Sequence, residues 1–198
     1  MPTSKRSWWN WAKTSTCEYL LRCSLSKVDS QHFWDLMDAV PEESIPEIET
    51  EILKKVFEIY KIKSDSLFFD TTNFFTYIDT TNSHCDIAQR GKNKQRRYDL
   101  RQIGLAMVVT RQDMIPLFHL TYKGNTHDSK VFRTVIGKVK QRIIDLDLGI
   151  EKHTVVFDRG NNSKQNLEIV KDLELYYVGA LTPYHHKELI NDAMDICL

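Results

Sequence analysis

The order of apolar segments along the chain predicts an α/β fold. It is a mixed sheet, antiparallel over three strands and then extended by parallel crossovers, with helices on its faces. Three observations predict it. A strand-like run from Ser66 to Ile78 precedes two more, 104–110 and 115–122, that read as a hairpin. Two helix-then-strand units follow, one closing at Asp158 and one at 176–181. Two of these strands also deliver a lone carboxylate from an apolar context, Asp70 in the first and Asp158 at the end of the fourth. A carboxylate is costly to bury unless it is paired or holds a cation. Two such groups from distant pieces of chain therefore point to one site.

Size and composition fit a soluble globular chain. It has 198 residues, 41% hydrophobic and 27% charged, with 27 basic and 27 acidic side chains. That length holds one domain with a real core, or one domain and an arm. Zero net charge gives no pointer to nucleic acid, but the distribution is uneven. Residues 35–58 hold eight acids against Lys54 and Lys55, and residues 89–101 hold six bases against Asp99 alone. Cys17, Cys23, Cys85 and Cys197 form no C-x-x-C pair, so a zinc knuckle or redox motif is not supported and a reduced, cytoplasmic protein is expected. No apolar run reaches membrane-spanning length, and the N-terminus lacks a signal-peptide core.

Taken in order, residues 1–34 carry Trp8, Trp9, Trp11, Tyr19, Leu20, Leu21, Phe33 and Trp34, which predict short helices packed on something larger. The region 1–63 reads as a helical N-terminal part of a truncated domain, and 64–198 as the core domain. Residues 44–60 predict a helix. Ser44 can cap it, Pro46 suits its first turn, and Glu47, Glu49 and Glu51 favour the positive end of its dipole. Ile48, Ile52, Leu53, Val56, Phe57 and Tyr60 are expected on its buried face, which leaves the acids as a solvated face.

In the first strand Leu67, Phe68 and Phe69 are expected to be buried, with Phe74, Phe75 and Tyr77 continuing the run. The stretch 79–101 is polar and then basic, with Arg90, Lys92, Lys94, Arg96, Arg97 and Arg101. Gly104 to Thr110 and Ile115 to Tyr122 are the hairpin strands about a turn at Arg111 to Met114; Pro116 marks an edge or a strand start. Thr126 or Asp128 is expected to cap a helix running to about Ile144, whose inward stripe is Val131, Phe132, Val135, Ile136, Val139 and Ile143. After the strand ending at Asp158, a second capped helix spans Ser163 to Glu174 with Leu167, Val170 and Leu173 inward. Tyr176 to Leu181 is the last strand. In a ribonuclease-H-like arrangement of these elements the first and fourth strands lie side by side and parallel, which brings Asp70 to Asp158.

Five segments in order carry a resemblance. LFFDTTNFF, the basic linker, the hairpin with IPL, GNTHDSKVF, and VVFDRGNNSKQN followed by YYVGAL resemble the catalytic core of insertion-sequence DDE transposases, over about residues 64–190. The resemblance implies a ribonuclease-H-like fold, DNA cleavage and strand transfer, and a pair of Mg²⁺ (or Mn²⁺) ions. It matches Asp70 to the first catalytic and metal-holding aspartate and Asp158 to the second. Arg159, Gly160, Ser163 and Asn166 match the motif after the second aspartate, and Gly124, Asn125 and Asp128 match the loop before the first crossover helix. DNA is the implied partner, and a homodimer is compatible with it.

The third acid of the family is a glutamate on a later helix. No Tyr-Arg-Glu stretch of that kind follows Leu181, and Glu188, in TPYHHKELI, is the one glutamate left. The expectation is therefore a core cut short before its third acid and inactive by itself. The alternatives are a DNA-binding regulatory truncation and a small metal-dependent nuclease that uses Glu188. The bases between Arg90 and Arg101 are expected to contact phosphate, because a cluster on one loop makes a local field despite zero net charge. Asp128 reads as a helix cap, and Asp79, Asp86 and Asp99 as surface charges. His84 with Cys85, and His185 with His186, lack a second ligand pair at zinc spacing.

Overall fold

Five strands form one sheet: β1 (Ser66–Thr76), β2 (Arg101–Thr110), β3 (Pro116–Lys123), β4 (Thr154–Phe157) and β5 (Tyr176–Gly179), in the order β3-β2-β1-β4-β5. The structure, a computed structural model, describes residues 5–149 and 153–180. β1 pairs antiparallel with β2, and β2 with β3; β4 runs parallel to β1 and to β5. This is the ribonuclease-H-like order and direction. The expected hairpin forms, and in it Gln102, Gly104, Ala106, Val108 and Thr110 are buried at every second position of β2.

The chain divides into two compact units, Met1–Glu51 and Ile52–Leu198. In the first, α1 (Lys5–Lys13), α2 (Cys17–Leu21) and α3 (Ser30–Ala39) are the short helices that the aromatic run predicts. Trp8 meets Phe33 edge-on at 5.1 Å between ring centres. Lys13 lies over Trp9, its ammonium 4.2 Å from the ring centre. Asp29 caps α3 by accepting from the backbone N–H of Gln31 at 2.9 Å. A 3₁₀ turn at Glu42–Ser44 leads into α4 (Ile45–Tyr60), whose second half belongs to the second unit.

The second unit is built around α5 (Asp128–Asp145). Its stripe Val131, Phe132, Val135, Ile136, Val139 and Ile143 is buried as its spacing predicts. Phe132 meets Phe69 at 5.1 Å and Phe157 at 4.7 Å, so α5 covers the sheet face that carries Leu67, Phe69, Ala106, Val108, Val155 and Phe157. In α6 (Lys164–Asp172) Val170 is buried, and Leu167 and the following Leu173 pack against the same core. Ser163 caps α6 by accepting from the Asn166 N–H at 3.2 Å.

Four expectations are corrected. The second half of β1 is not buried: Phe74 is 54% exposed and Tyr77 beyond it 87%. β4 pairs only with residues 66–68 of β1, so past Asp70 the strand has β2 as its strand neighbour and none on the other side. In α4 only Leu53 and Phe57 are buried, whereas Ile48, Ile52 and Tyr60 are exposed. The N-cap of α5 is His127, with no side-chain cap bond, in place of Thr126 or Asp128. The last strand stops at Gly179, and Leu181 and the rest of the final segment lie outside the described residues.

Between β1 and β2 the chain has no long element, yet it is anchored. Gln89 bridges to Gln102 on β2, and the Gly124 N–H donates to the Ile87 carbonyl at 3.2 Å. The buried Gln102 amide donates to the carbonyls of Gly124 at 2.7 Å and Lys92 at 3.2 Å. Gly91 and Gly124 make this crossing feasible. A Cβ at Gly91 would strike the Gly124 carbonyl, and one at Gly124 the Gln102 carbonyl.

Candidate active site and its basic loop

The parallel register places the two aspartates. Ser66 pairs with Thr154, Leu67 with Val155 and Phe68 with Val156. Asp70 and Asp158 each stand two residues beyond the Phe68–Val156 pair, and Asp158 keeps extended backbone, φ −75° and ψ 167°. Side chains alternate with a period of two, so both carboxylates leave the face opposite α5. Both are exposed. Their strands are neighbours, about 4.8 Å apart in a regular sheet.

Local bonds orient each group. Asp70 Oδ1 accepts from the Thr71 N–H at 2.7 Å. Asp158 Oδ1 accepts from the Asn161 side-chain amide at 2.8 Å. Asn161 is buried, and its backbone carbonyl accepts from the Asn166 amide at 2.9 Å on the first turn of α6. A short relay thus ties Asp158 to the capped end of α6. Asn166 belongs to the motif read from the sequence, but Asn161 was missed. Its signal was an amide three residues after the aspartate, the reach of a local side-chain bond.

Tyr122 was also missed. Its hydroxyl donates to Asp128 Oδ1 at 3.1 Å, and the Thr71 side chain hydrogen-bonds to it. Burial, and then the charge and hydrogen bond of Asp128, push its phenol well above the ordinary range, and the charge of Asp70 adds to this. Asp128 therefore neither caps α5 nor joins the aspartate pair. Among the described residues no group of three His, Cys, Asp or Glu side chains could hold a metal ion. Glu188, the alternative third acid, and the pair His185 and His186 lie outside the described residues.

As a donor set, two exposed carboxylates from adjacent strands fit a hard divalent cation, which prefers carboxylate and water oxygens. They would supply only part of its coordination shell.

The structure separates the six bases of the loop. Arg90, Lys92, Lys94 and Arg96 are exposed. Arg97 is held by Asp99 in a two-pronged pair at 2.9 and 2.8 Å, which keeps the Asp99 carboxyl down at about 2. The Arg101 guanidinium donates to the carbonyls of Thr80 at 2.6 Å, Asn82 at 3.1 Å and Cys85 at 3.4 Å, closing the 80–85 segment onto the start of β2. The two other loop acids also have partners. Asp79 accepts from the Thr81 N–H and hydroxyl, each at 2.7 Å, and Asp86 pairs with Lys123 at 2.9 Å. Tyr98 is 56% exposed among the bases.

No helix among the described residues is long and apolar enough to cross a membrane. No family model matches the chain, and no curated protein does. Among solved structures its neighbours include transposases. The Mos1 transposase paired-end complex with left transposon end is 9% identical with a TM-score of 0.41, over 89% of this chain and 59% of that one. The catalytic domain of Mos1 mariner transposase is 10% identical with a TM-score of 0.40, over 79% of this chain and 74% of that one. The piggyBac transposase synaptic complex with hairpin DNA is 13% identical with a TM-score of 0.42, over 92% of this chain. The chain spans 44% of that piggyBac chain.

Proposed function

We propose that this chain forms a transposase-type catalytic core for DNA cleavage and strand transfer, with Asp70 and Asp158 holding Mg²⁺ or Mn²⁺. The observation that carries the reading is the parallel register of β1 and β4, which sets the two aspartates at one height on one exposed face. The resemblance of LFFDTTNFF and VVFDRGNNSKQN to the insertion-sequence DDE enzymes supports it. Asp70 and Asp158 would hold the divalent ions, which when bound would supply charge stabilisation for phosphoryl transfer. The chain's own part is to aim the carboxylates. Thr71 holds Asp70, and Asn161 holds Asp158. Arg90, Lys92, Lys94 and Arg96 supply phosphate contacts, while Arg97 and Arg101 shape the loop that carries them. Two copies of the chain act together on DNA.

A second reading, DNA binding without cleavage, is favoured by one observation: no third acid joins the pair among the described residues. One experiment divides the readings. Mn²⁺ binding, DNA binding and plasmid nicking are measured for the 198-residue chain and for Asp70→Asn, Asp158→Asn and Glu188→Gln. The first reading expects Mn²⁺ binding that either aspartate variant loses. Nicking abolished by Glu188→Gln identifies Glu188 as the third acid. DNA binding with Mn²⁺ bound but no nicking supports the second reading, and no Mn²⁺ binding at all removes the first.

A further inference from the structure

Helix α5 buries one face, and its other face carries charge of a single sign. Residues 129–144 hold Lys130, Arg133, Lys138, Lys140 and Arg142 and no acid. Arg142 is buried, whereas Lys130 and Lys138 are exposed and Arg133 and Lys140 are half-buried. On a helical wheel the buried stripe spans about 140° of arc, and the four outward cations fall within about 160° on the opposite side. A solvated helix face normally sets Glu three or four places from Lys, and this face has none. Among the described residues Lys130, Lys138 and Lys140 have no carboxylate partner, on the adjoining α6 or elsewhere. Arg133 donates to the neutral side chain of Gln165 at 3.2 Å, so its charge is unmatched.

Helix stability does not account for the pattern. Lys130 stands in the first turn, at the positive end of the dipole, where a cation is unfavourable. Gly137 lies in mid-helix near the centre of the outward face, where Ala is the better helix former. A Cβ added at Gly137 meets nothing within 4 Å among the described residues, so packing does not call for glycine there. A bare position among cations lets a phosphate backbone come close to the helix.

We infer that the outer face of α5 binds the phosphate backbone of duplex DNA, as a contact separate from the aspartate site. Charge complementarity selects a polyanion. Ile144, 55% exposed, is the one large apolar residue on this face, and the face has no aromatic ring. It therefore offers neither a platform for unpaired bases nor an apolar surface for a membrane. Lys130 and Lys140 are ten residues apart, about 15 Å along the axis, which spans several phosphates of one strand. Position completes the inference. α5 covers one face of the sheet, and Asp70 and Asp158 leave the other. The sheet and the helix itself, about 10 Å across, stand between. DNA held on α5 is thus a second segment, not the one at the aspartates. The inference rests on the proposed function only for DNA as the polyanion, and not on its metal chemistry.

The test titrates the full chain with a labelled duplex of about 12 base pairs, little more than one helical turn, across a salt series. The parent is expected to take up two duplexes. A triple variant, Lys130→Ala with Lys138→Ala and Lys140→Ala, is expected to lose one of them and to lower the slope of log affinity against log salt by about 2–3. Lys94→Ala with Arg96→Ala is expected to lose the other. Gly137→Glu replaces a mid-helix glycine with a good helix former, so the melting temperature should rise. The same change sets a carboxylate against phosphate and should weaken the α5 duplex at least about tenfold. Circular dichroism with parental helix content qualifies each variant. Unchanged slope and stoichiometry in the triple variant, or parental affinity in Gly137→Glu, overturns the inference. Poly-glutamate that displaces the α5 duplex as well as unlabelled duplex does assigns the face to an acidic protein and overturns it too. A parent that takes up one duplex separates the proposals. If the lysine triple abolishes it, the inference stands and the role of the 90–101 loop falls; if Lys94→Ala with Arg96→Ala abolishes it, the inference falls and the loop stands. A parent that binds no duplex removes both.

Discussion

Asp70 and Asp158 stand at one height on neighbouring parallel strands, each two residues past the Phe68–Val156 pair, although they are 88 positions apart in the chain. Neither side chain carries the sheet, because both are exposed on the face away from α5. Asp70→Asn or Asp158→Asn is therefore expected to change stability by no more than about 0.5 kcal/mol. Each should weaken Mn²⁺ binding at least about tenfold, about 1.4 kcal/mol. Calorimetric titration with Mn²⁺, beside a thermal melt, checks both. Unchanged affinity in either variant would remove that aspartate from the site.

Asn161 acts on Asp158 through one bond and on α6 through another. Asn161→Ala removes the side-chain bond to the exposed Asp158 and keeps the backbone bond to Asn166, so it is expected to cost about 0.5–1.5 kcal/mol of stability. It should also lower Mn²⁺ affinity about 10–100-fold, the usual effect of losing a group that orients a ligand. A melt shift with full Mn²⁺ affinity would assign Asn161 to packing alone.

The bases of the 90–101 loop should divide by their partners. Lys94→Ala or Arg96→Ala, each removing an exposed cation, is expected to lower the slope of log affinity against log salt for DNA by about 1. Arg97→Ala should change that slope less, because the guanidinium is already held by Asp99. Equal slopes for the parent and Arg96→Ala would leave the loop without a role in DNA binding. Filter binding across a salt series measures this.

Arg101 and Gly124 hold the loop to the sheet by different means. Arg101→Ala gives up three bonds to carbonyls and should open 80–85 to protease while the sheet stays folded. Gly124→Ala pushes a Cβ into the Gln102 carbonyl and is expected to destabilise the fold by about 1–3 kcal/mol. Limited proteolysis and urea melts separate the two. A fully stable Gly124→Ala chain would show that the crossing yields without cost.

The local elements were legible in the sequence because their causes are local. The six apolar residues of α5 recur at helical spacing, and all six are buried. Apolar runs on either side of the turn at Arg111 to Met114 marked β2 and β3, and Ser163 announced α6. Even the adjacency of the strands that carry Asp70 and Asp158 could be expected, since a right-handed crossover after a hairpin leaves few places for β4. Other features depended on partners far away in the chain. α4 offers apolar residues on two sides, and periodicity cannot say which side meets the core; packing chose Leu53 and Phe57 and left Ile48 and Ile52 exposed. The run from Arg90 to Arg101 reads as six equivalent cations, yet Asp99 holds one and the carbonyls of Thr80, Asn82 and Cys85 hold another. Asn161 looks like any turn residue until burial makes its amide select a partner, and Asp158 is the acceptor within reach. Side-chain pattern sets which elements form. Which of their polar groups remain available for chemistry is decided only when distant segments come together and take up the rest.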